Sequence, residues 1–161
     1  MRGPIQLRSL RAADRPAIER ILRATGVFTG EEVDVALELV DLGLRPEQRE
    51  YSFVVVETVA EAVAGYACFG PTPLTEGVWD LYWIAVDPAI QSRGLGRQIL
   101  AAVEAAVRAG GGRMVLVETA SKPSYKPTRA LYRRTNYVEV ARIPDFYRVG
   151  DDKVIFVKTL S

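Results

Sequence analysis

The segment with the clearest chemical content is Gln91-Ser92-Arg93-Gly94-Leu95-Gly96-Arg97, set between a stretch patterned as a strand and one patterned as a helix. Two glycines let the backbone come close to a bulky anion, and the first N–H groups of a helix have no intrahelical partner. The helix dipole adds partial positive charge at the same point, and Arg93 and Arg97 add full charges. Together these features make a pyrophosphate cradle. A bare Gly-x-Gly also serves as a tight strand-to-helix turn with no ligand. Other nucleotide sites are excluded by spacing. A P-loop needs Gly-x-x-x-x-Gly-Lys-Ser/Thr, which does not occur. A dinucleotide fingerprint needs a third glycine where Ile99 stands, and it usually follows the first strand, not the fourth.

The chain contains no histidine. That removes Ser-His-Asp triads, Cys-His pairs and every histidine-bearing zinc site, so no metal is expected. The single cysteine, Cys68, permits no internal disulfide and has no imidazole to activate it. Acid–base work must therefore come from carboxylates, tyrosines, lysines, the backbone or water. Apolar residues make up 48% of the 161 residues and charged residues 25%, with a formal net charge of +1. Such a balance is ordinary for one globular domain and gives no bulk attraction to nucleic acid or an anionic membrane. The N-terminus lacks a signal-like apolar core, and no apolar run approaches the ~18–20 residues of a membrane span. A soluble cytoplasmic protein is expected, one domain over residues 1–161.

The elements that must position the glycine turn follow from periodicity. A strand is expected around Ile5–Leu10, then a helix capped by Asp14 with Ile18, Ile21 and Leu22 on one face. Thr29 caps a second helix, Gly30–Leu42, with Glu32 three residues on as a capping box. Tyr51–Glu57 and Val63–Phe69 pattern as a hairpin, Gly70–Gly77 as loop, and Val78–Val86 as a longer strand. The helix after the turn reaches about Ala109, with Ile99, Leu100, Val103 and Val107 on one face. Met114–Glu118 follows as a strand, completing a βαβ unit whose two strands should be parallel neighbours. A short helix over about Thr128–Thr135 and strands at Tyr137–Arg142 and Val154–Lys158 end the chain. The fold class is α/β (α+β), with a mixed sheet of about seven strands and about four helices.

In this context Val86-x-Pro88-x-x-Gln91-x-x-Gly94-x-Gly96 resembles the acetyl-CoA signature of the GNAT acetyltransferase superfamily, Gln/Arg-x-x-Gly-x-Gly/Ala. The order of elements is similar along nearly the whole chain. The resemblance implies acetyl-CoA as cosubstrate, its pyrophosphate held by Gln91, Ser92, Arg93, Gly94, Leu95, Gly96 and Arg97. It further implies a bulge in the preceding strand and a splay from the next one. The backbone of Ile84, Ala85 and Val86 would then grip the pantetheine arm and polarise the acetyl carbonyl. The reaction implied is transfer of acetyl to a primary amine by direct attack.

Candidate acid and base residues also rest on this resemblance. The family pattern Leu-Tyr-x-x-x-Gly-Phe/Tyr is matched by Leu131-Tyr132-Arg133-Arg134-Thr135-Asn136-Tyr137, which implies Tyr132 as the acid that protonates the leaving thiolate. Asn136 replaces the usual glycine but also tolerates a left-handed conformation. Asp80, on the strand before the motif, and Glu118, ending the next strand, are the candidate bases. Lys122–Arg134 is basic and free of acids, offering contacts to the ribose phosphate of CoA or merely a solvated face; Tyr125 stands where the family often has asparagine. The early helices and the final hairpin are acidic (Glu31, Glu32, Asp34, Glu38, Asp145, Asp151, Asp152), which suits a cationic amine, while Phe146 and Tyr147 offer aromatic walls. No nucleic acid or membrane partner is implied, and a homodimer is left open. A non-catalytic CoA-binding module is the alternative reading.

Overall fold

The computed structural model describes residues 4–58, 62–90 and 94–161. The strands are β1 (Ile5–Arg8), β2 (Ser52–Thr58), β3 (Val63–Pro71), β4 (Val78–Val86), β5 (Met114–Ala120), β6 (Val138–Arg148) and β7 (Asp151–Thr159). The helices are α1 (Arg15–Ala24), α2 (Gly30–Gly43), α3 (Leu95–Ala109) and α4 (Lys126–Arg134). One seven-stranded sheet runs in the order β1-β2-β3-β4-β5-β7-β6. Every described pairing is antiparallel except β4 with β5, the two strands joined by α3. The parallel pair expected from the strand–helix–strand pattern is therefore present.

The sheet separates two cores. On one face Leu95, Ile99, Leu100, Val103 and Val107 of α3 pack with Tyr132 of α4 over Val115, Val117 and Phe156. On the other, Ile18, Ile21 and Leu22 of α1 and Val33, Leu37 and Val40 of α2 pack over Val55, Tyr66 and Cys68. Each helix thus buries the apolar stripe its sequence carries.

Helix ends are set locally. Thr29 Oγ1 accepts from Glu32 N–H at 3.1 Å while Glu32 Oε1 accepts from Thr29 N–H at 3.2 Å, closing the capping box of α2. At the end of α4, Asn136 adopts φ 71°, and Tyr137 N–H reaches Tyr132 C=O at 2.9 Å. That is a Schellman turn with asparagine in the left-handed position glycine usually takes. Asp14 departs from expectation. It precedes α1, but its carboxylate accepts from Arg11 N–H and from both terminal nitrogens of Arg8, each at 2.8 Å. A 3-10 turn, Ala12–Asp14, results, and the α-helix begins beyond it.

Arg8 also donates to Glu57 at 2.6 Å, so a guanidinium with 9% exposed side chain joins two carboxylates. Burial pushes the Asp14 carboxyl up, but the Arg8 hydrogen bonds and the Arg11 amide outweigh it, and the net shift is downward. A lowered acid stabilises the fold above the ordinary carboxylate range and loses that contribution as pH falls through the folded value. Asp14→Ala is expected to cost about 1.5–3 kcal/mol at neutral pH, since Glu57 still partners Arg8. Urea melts at neutral and acid pH check this: the deficit should shrink on acidification.

The last hairpin is longer than its sequence pattern suggests. β6 runs through Pro144-Asp145-Phe146-Tyr147, which pattern as a loop. An edge strand tolerates proline, and the irregularity is absorbed there. The pairing with β7 breaks between Ile143 and Arg148, Asp145 takes φ 55°, and Asp152 Oδ1 accepts its N–H at 2.9 Å. Arg133 and Arg142 on this side reach Glu139.

Candidate active site

The sheet opens at β4. Cys68 of β3 faces Trp83 and the next residue, Phe69, faces Leu81, so Tyr82 is the extra residue of a bulge. The bulge re-aims the strand. Before it, Trp79 and Leu81 belong to the α3 face; after it, Ile84 and Val86 do. Pairing of β4 with β5 covers only Val78–Leu81 against Met114–Val117. Beyond Leu81 the two strands part, and among the described residues Ile84, Ala85 and Val86 have no strand partner on the β5 side. The bulge and splay implied by the sequence resemblance are both present.

Two cavities occupy the wedge. The first, about 700 Å³, is lined by Ile84–Val86, by Gly94–Arg97 at the start of α3, and by Leu131 and Arg134 of α4. Gly94 holds φ 69°, a left-handed turn that opens the helix. The helical ladder starts with Gln98 N–H on Gly94 C=O at 3.1 Å. The amides of Leu95, Gly96 and Arg97 therefore have no intrahelical acceptor and carry the positive end of the dipole. Gly96 serves a different purpose. A Cβ built there would lie 2.9 Å from Leu131 Cδ2, so the missing side chain lets α4 approach α3. Gln91, Ser92 and Arg93, also expected at the cradle, lie outside the described residues.

The second cavity, about 670 Å³, contains all three candidate acid–base residues, Asp80, Glu118 and Tyr132, in its wall. It meets the first at Phe28, Ile84 and Thr128, which line both. Tyr132 is 3% exposed, its ring packed against Tyr137 at 5.7 Å and Phe156 at 5.6 Å. Burial pushes its phenol upward, and among the described residues no side chain hydrogen-bonds its hydroxyl. Asp80 accepts from Thr72 Oγ1 at 2.7 Å. Its carboxyl is held above the usual range, first by burial and further by the negative charge of Glu118. Glu118 is more exposed and is paired with Lys153 at 2.9 Å.

Of the acidic residues expected on this side, Glu31, Glu32 and Asp151 line the cavity, whereas Asp145 and Asp152 are engaged within the last hairpin. Within the basic stretch, Arg134 lines the first cavity and Lys122 the second. Arg129 instead donates to the carbonyls of Ala120 and Lys122 at 2.8 and 3.0 Å, fixing the turn after β5. Several wall residues escape sequence reasoning: Phe28, Trp83 and Thr119. Phe28 sits just before the cap Thr29, where a hydrophobic staple is a local reading. In the fold its ring stands edge-on to Trp83 at 5.3 Å and to Tyr125 at 6.2 Å.

A strand edge freed by splaying, a helix N-terminus beside it and an acid-lined cavity behind it define an acyl-CoA-dependent transferase as a class. The sequence matches the Acetyltransferase (GNAT) family over residues 16–137. The chain belongs to that family and is an acetyl-CoA-dependent acyltransferase. A GNAT-family structure from Desulfovibrio desulfuricans is 44% identical, with a TM-score of 0.93 over 98% of this chain and 100% of that one. Two more distant structures share the fold. The ribosomal-protein-S18-alanine N-acetyltransferase from Escherichia coli is 21% identical, with a TM-score of 0.78 over 98% of this chain and 95% of that one. The Salmonella typhimurium protein yncA, solved with its cofactor acetyl-CoA, is 20% identical, with a TM-score of 0.77 over 99% and 95%. Among curated proteins none matches the sequence. No helix among the described residues is long and apolar enough to cross a membrane.

Proposed function

We propose that the chain, as a single domain over residues 1–161, transfers acetyl from acetyl-CoA to a primary amine by direct attack in a ternary complex. The observation that carries this reading is the meeting of the two cavities at Phe28, Ile84 and Thr128. A donor in the first and an amine in the second come together there without an intermediate carrier on the protein. The only cysteine supports direct attack: Cys68 is 0% exposed in the α1/α2 core, and burial pushes its thiol up to about 12.

The residues present fit acetyl-CoA. The amides of Leu95, Gly96 and Arg97 would take the pyrophosphate, with Arg97 and Arg134 adding charge and Gln91, Ser92 and Arg93 continuing the cradle. The free edge of β4 at Ile84, Ala85 and Val86 offers backbone groups for the pantetheine amides and a donor for the acetyl carbonyl. When bound, the cosubstrate supplies an activated acyl group on a thiol leaving group.

Proton movements fall to the chain. An amine in water is mostly protonated at neutral pH and must lose a proton before it attacks. Asp80 is the better acceptor, because its raised carboxyl holds a proton more readily than an unperturbed acid. Glu118, neutralised by Lys153, orients the amine or relays through water. Tyr132 keeps its phenolic proton at neutral pH and gives it to the departing sulfur.

The first test is a calorimetric titration with acetyl-CoA, with NADH and ATP as controls. Saturable binding of acetyl-CoA alone is expected; no binding at millimolar concentration would sink the reading. Initial rates over both substrates should then give intersecting reciprocal plots, whereas parallel lines would mean a covalent acyl-enzyme.

A further inference from the structure

The outermost strand of the sheet buries nothing. β6 ends the strand order, all 11 of its residues are exposed, and none of its side chains joins either core. Ten large apolar side chains are exposed among the described residues, and six of them fall between Val138 and Val149. A patch so concentrated on one edge marks an interaction surface. Sheet edges are kept from pairing by shortness, lysine, proline or irregularity. The opposite edge, β1, is only 4 residues long. Pro144 and the broken pairing after Ile143 blunt the second half of β6. Its first half, Val138–Ile143, has neither lysine nor proline and pairs with β7 on both sides of one bulge.

That bulge decides which side chains share a face. Glu139 opposes Phe156 and Ala141 opposes Ile155, so Val140 is the extra residue. Arg142 then opposes Val154. Phe156 and Val154 belong to the core on the α3 face, so Glu139 and Arg142 both point to that side. Val138 and Ile143 oppose Val157 and Lys153 and point to the other side. In a regular strand, residues three or five apart lie on opposite faces. Here the extra residue gives the segment two matched pairs, one apolar and one of opposite charge.

We propose that this segment pairs with the same segment of a second copy, antiparallel, about a twofold axis between Val140 and Ala141. Two seven-stranded sheets then join into one. A twofold interface requires that if one residue meets another, the second meets the first. Val138-Glu139-Val140-Ala141-Arg142-Ile143 satisfies this. Val138 opposes Ile143 of the second copy on one face, Glu139 opposes its Arg142 on the other, and Val140 meets its Ala141 at the axis. Registers centred on Glu139 or on Arg142 instead set like charges against each other. Glu139 and Arg142 already pair within the chain at 3.3 Å, but at 35% and 41% exposure that contact contributes little, so exchanging it across the axis is cheap. The pairing does not depend on the acetyltransferase reading.

A contact along one short ladder is at the small end for a stable interface, so a dissociation constant in the micromolar range is expected. Sedimentation equilibrium of the full chain, from about 1 to about 200 µM, should pass from 17.8 kDa to twice that mass. Glu139→Arg alone and Arg142→Glu alone each set like charges opposite one another twice. Each should weaken self-association at least tenfold. Mixed in equal amounts, the two variants should form a heterodimer within about threefold of the parent affinity, because each chain supplies the charge the other lacks. That recovery also shows that both variants are folded. A parent chain still monomeric at about 200 µM overturns the proposal and leaves the edge to a partner of another kind. A dimer that neither reversal weakens overturns it too, by placing the contact elsewhere. Variants that weaken association but do not recover on mixing overturn the antiparallel register and the pairing with it.

Discussion

Tyr132→Phe is expected to lower kcat by roughly 10²–10⁴-fold while leaving acetyl-CoA affinity unchanged. The structure makes this substitution unusually clean. The ring packs against Tyr137 and Phe156, and phenylalanine keeps those contacts. No side-chain hydrogen bond among the described residues is lost, so Tm should stay close to that of the parent. What disappears is the phenolic proton of a buried side chain in the cavity wall. A calorimetric titration and a steady-state assay on the same preparation check both halves. An unchanged kcat would remove Tyr132 from the mechanism and hand protonation of the thiolate to water.

Asp80→Asn is expected to lower kcat/KM for the amine by ~10²-fold at neutral pH. The sign of its pH dependence follows from the raised carboxyl. Only the ionised form accepts a proton, so activity of the parent enzyme falls as pH drops through the Asp80 value, and this limb lies above the range of an ordinary aspartate. The asparagine variant should lose that limb. At alkaline pH, where more of the amine arrives already neutral, the variant should recover toward the parent. Stability should move the other way. An acid whose folded value is raised is destabilising when ionised, and asparagine still accepts from Thr72, so the variant should melt no lower at neutral pH. A uniform loss of activity at every pH would instead assign Asp80 to binding and leave Glu118 or water as the base.

Much of this was legible in the sequence because it depends on neighbours along the chain. The capping box at Thr29 and Glu32, the Asn136 stop of α4 and the glycine turn opening α3 each involve residues within one helical turn of one another. The parallel pairing of β4 and β5 follows from a strand, a helix and a strand of the right lengths. The absence of histidine likewise leaves the acid–base chemistry to carboxylates, tyrosines, lysines, the backbone or water, whatever the fold.

The wall of the second cavity was not legible in the same way. Its wall draws Phe28 from before α2, Trp83 from β4, Thr119 from β5, Tyr125 from the turn before α4 and Asp151 from β7. Placing β7 beside β5, and β6 outside it, is what brings the last hairpin to this cavity. The bulge at Tyr82 shows the limit most clearly. Val78–Val86 has no glycine or proline to mark it, and Trp83 and Ala85 fill the α1/α2 side with apolar groups, hiding the change of face between Leu81 and Ile84. Only the register against β3 reveals the extra residue. Local backbone preference fixed the capping box of α2, the Asn136 stop of α4 and the left-handed glycine turn that opens α3. Tertiary packing decided which side chains share the second cavity, because its wall is drawn from α2, β4, β5 and β7 and belongs to the space between elements and not to any one of them.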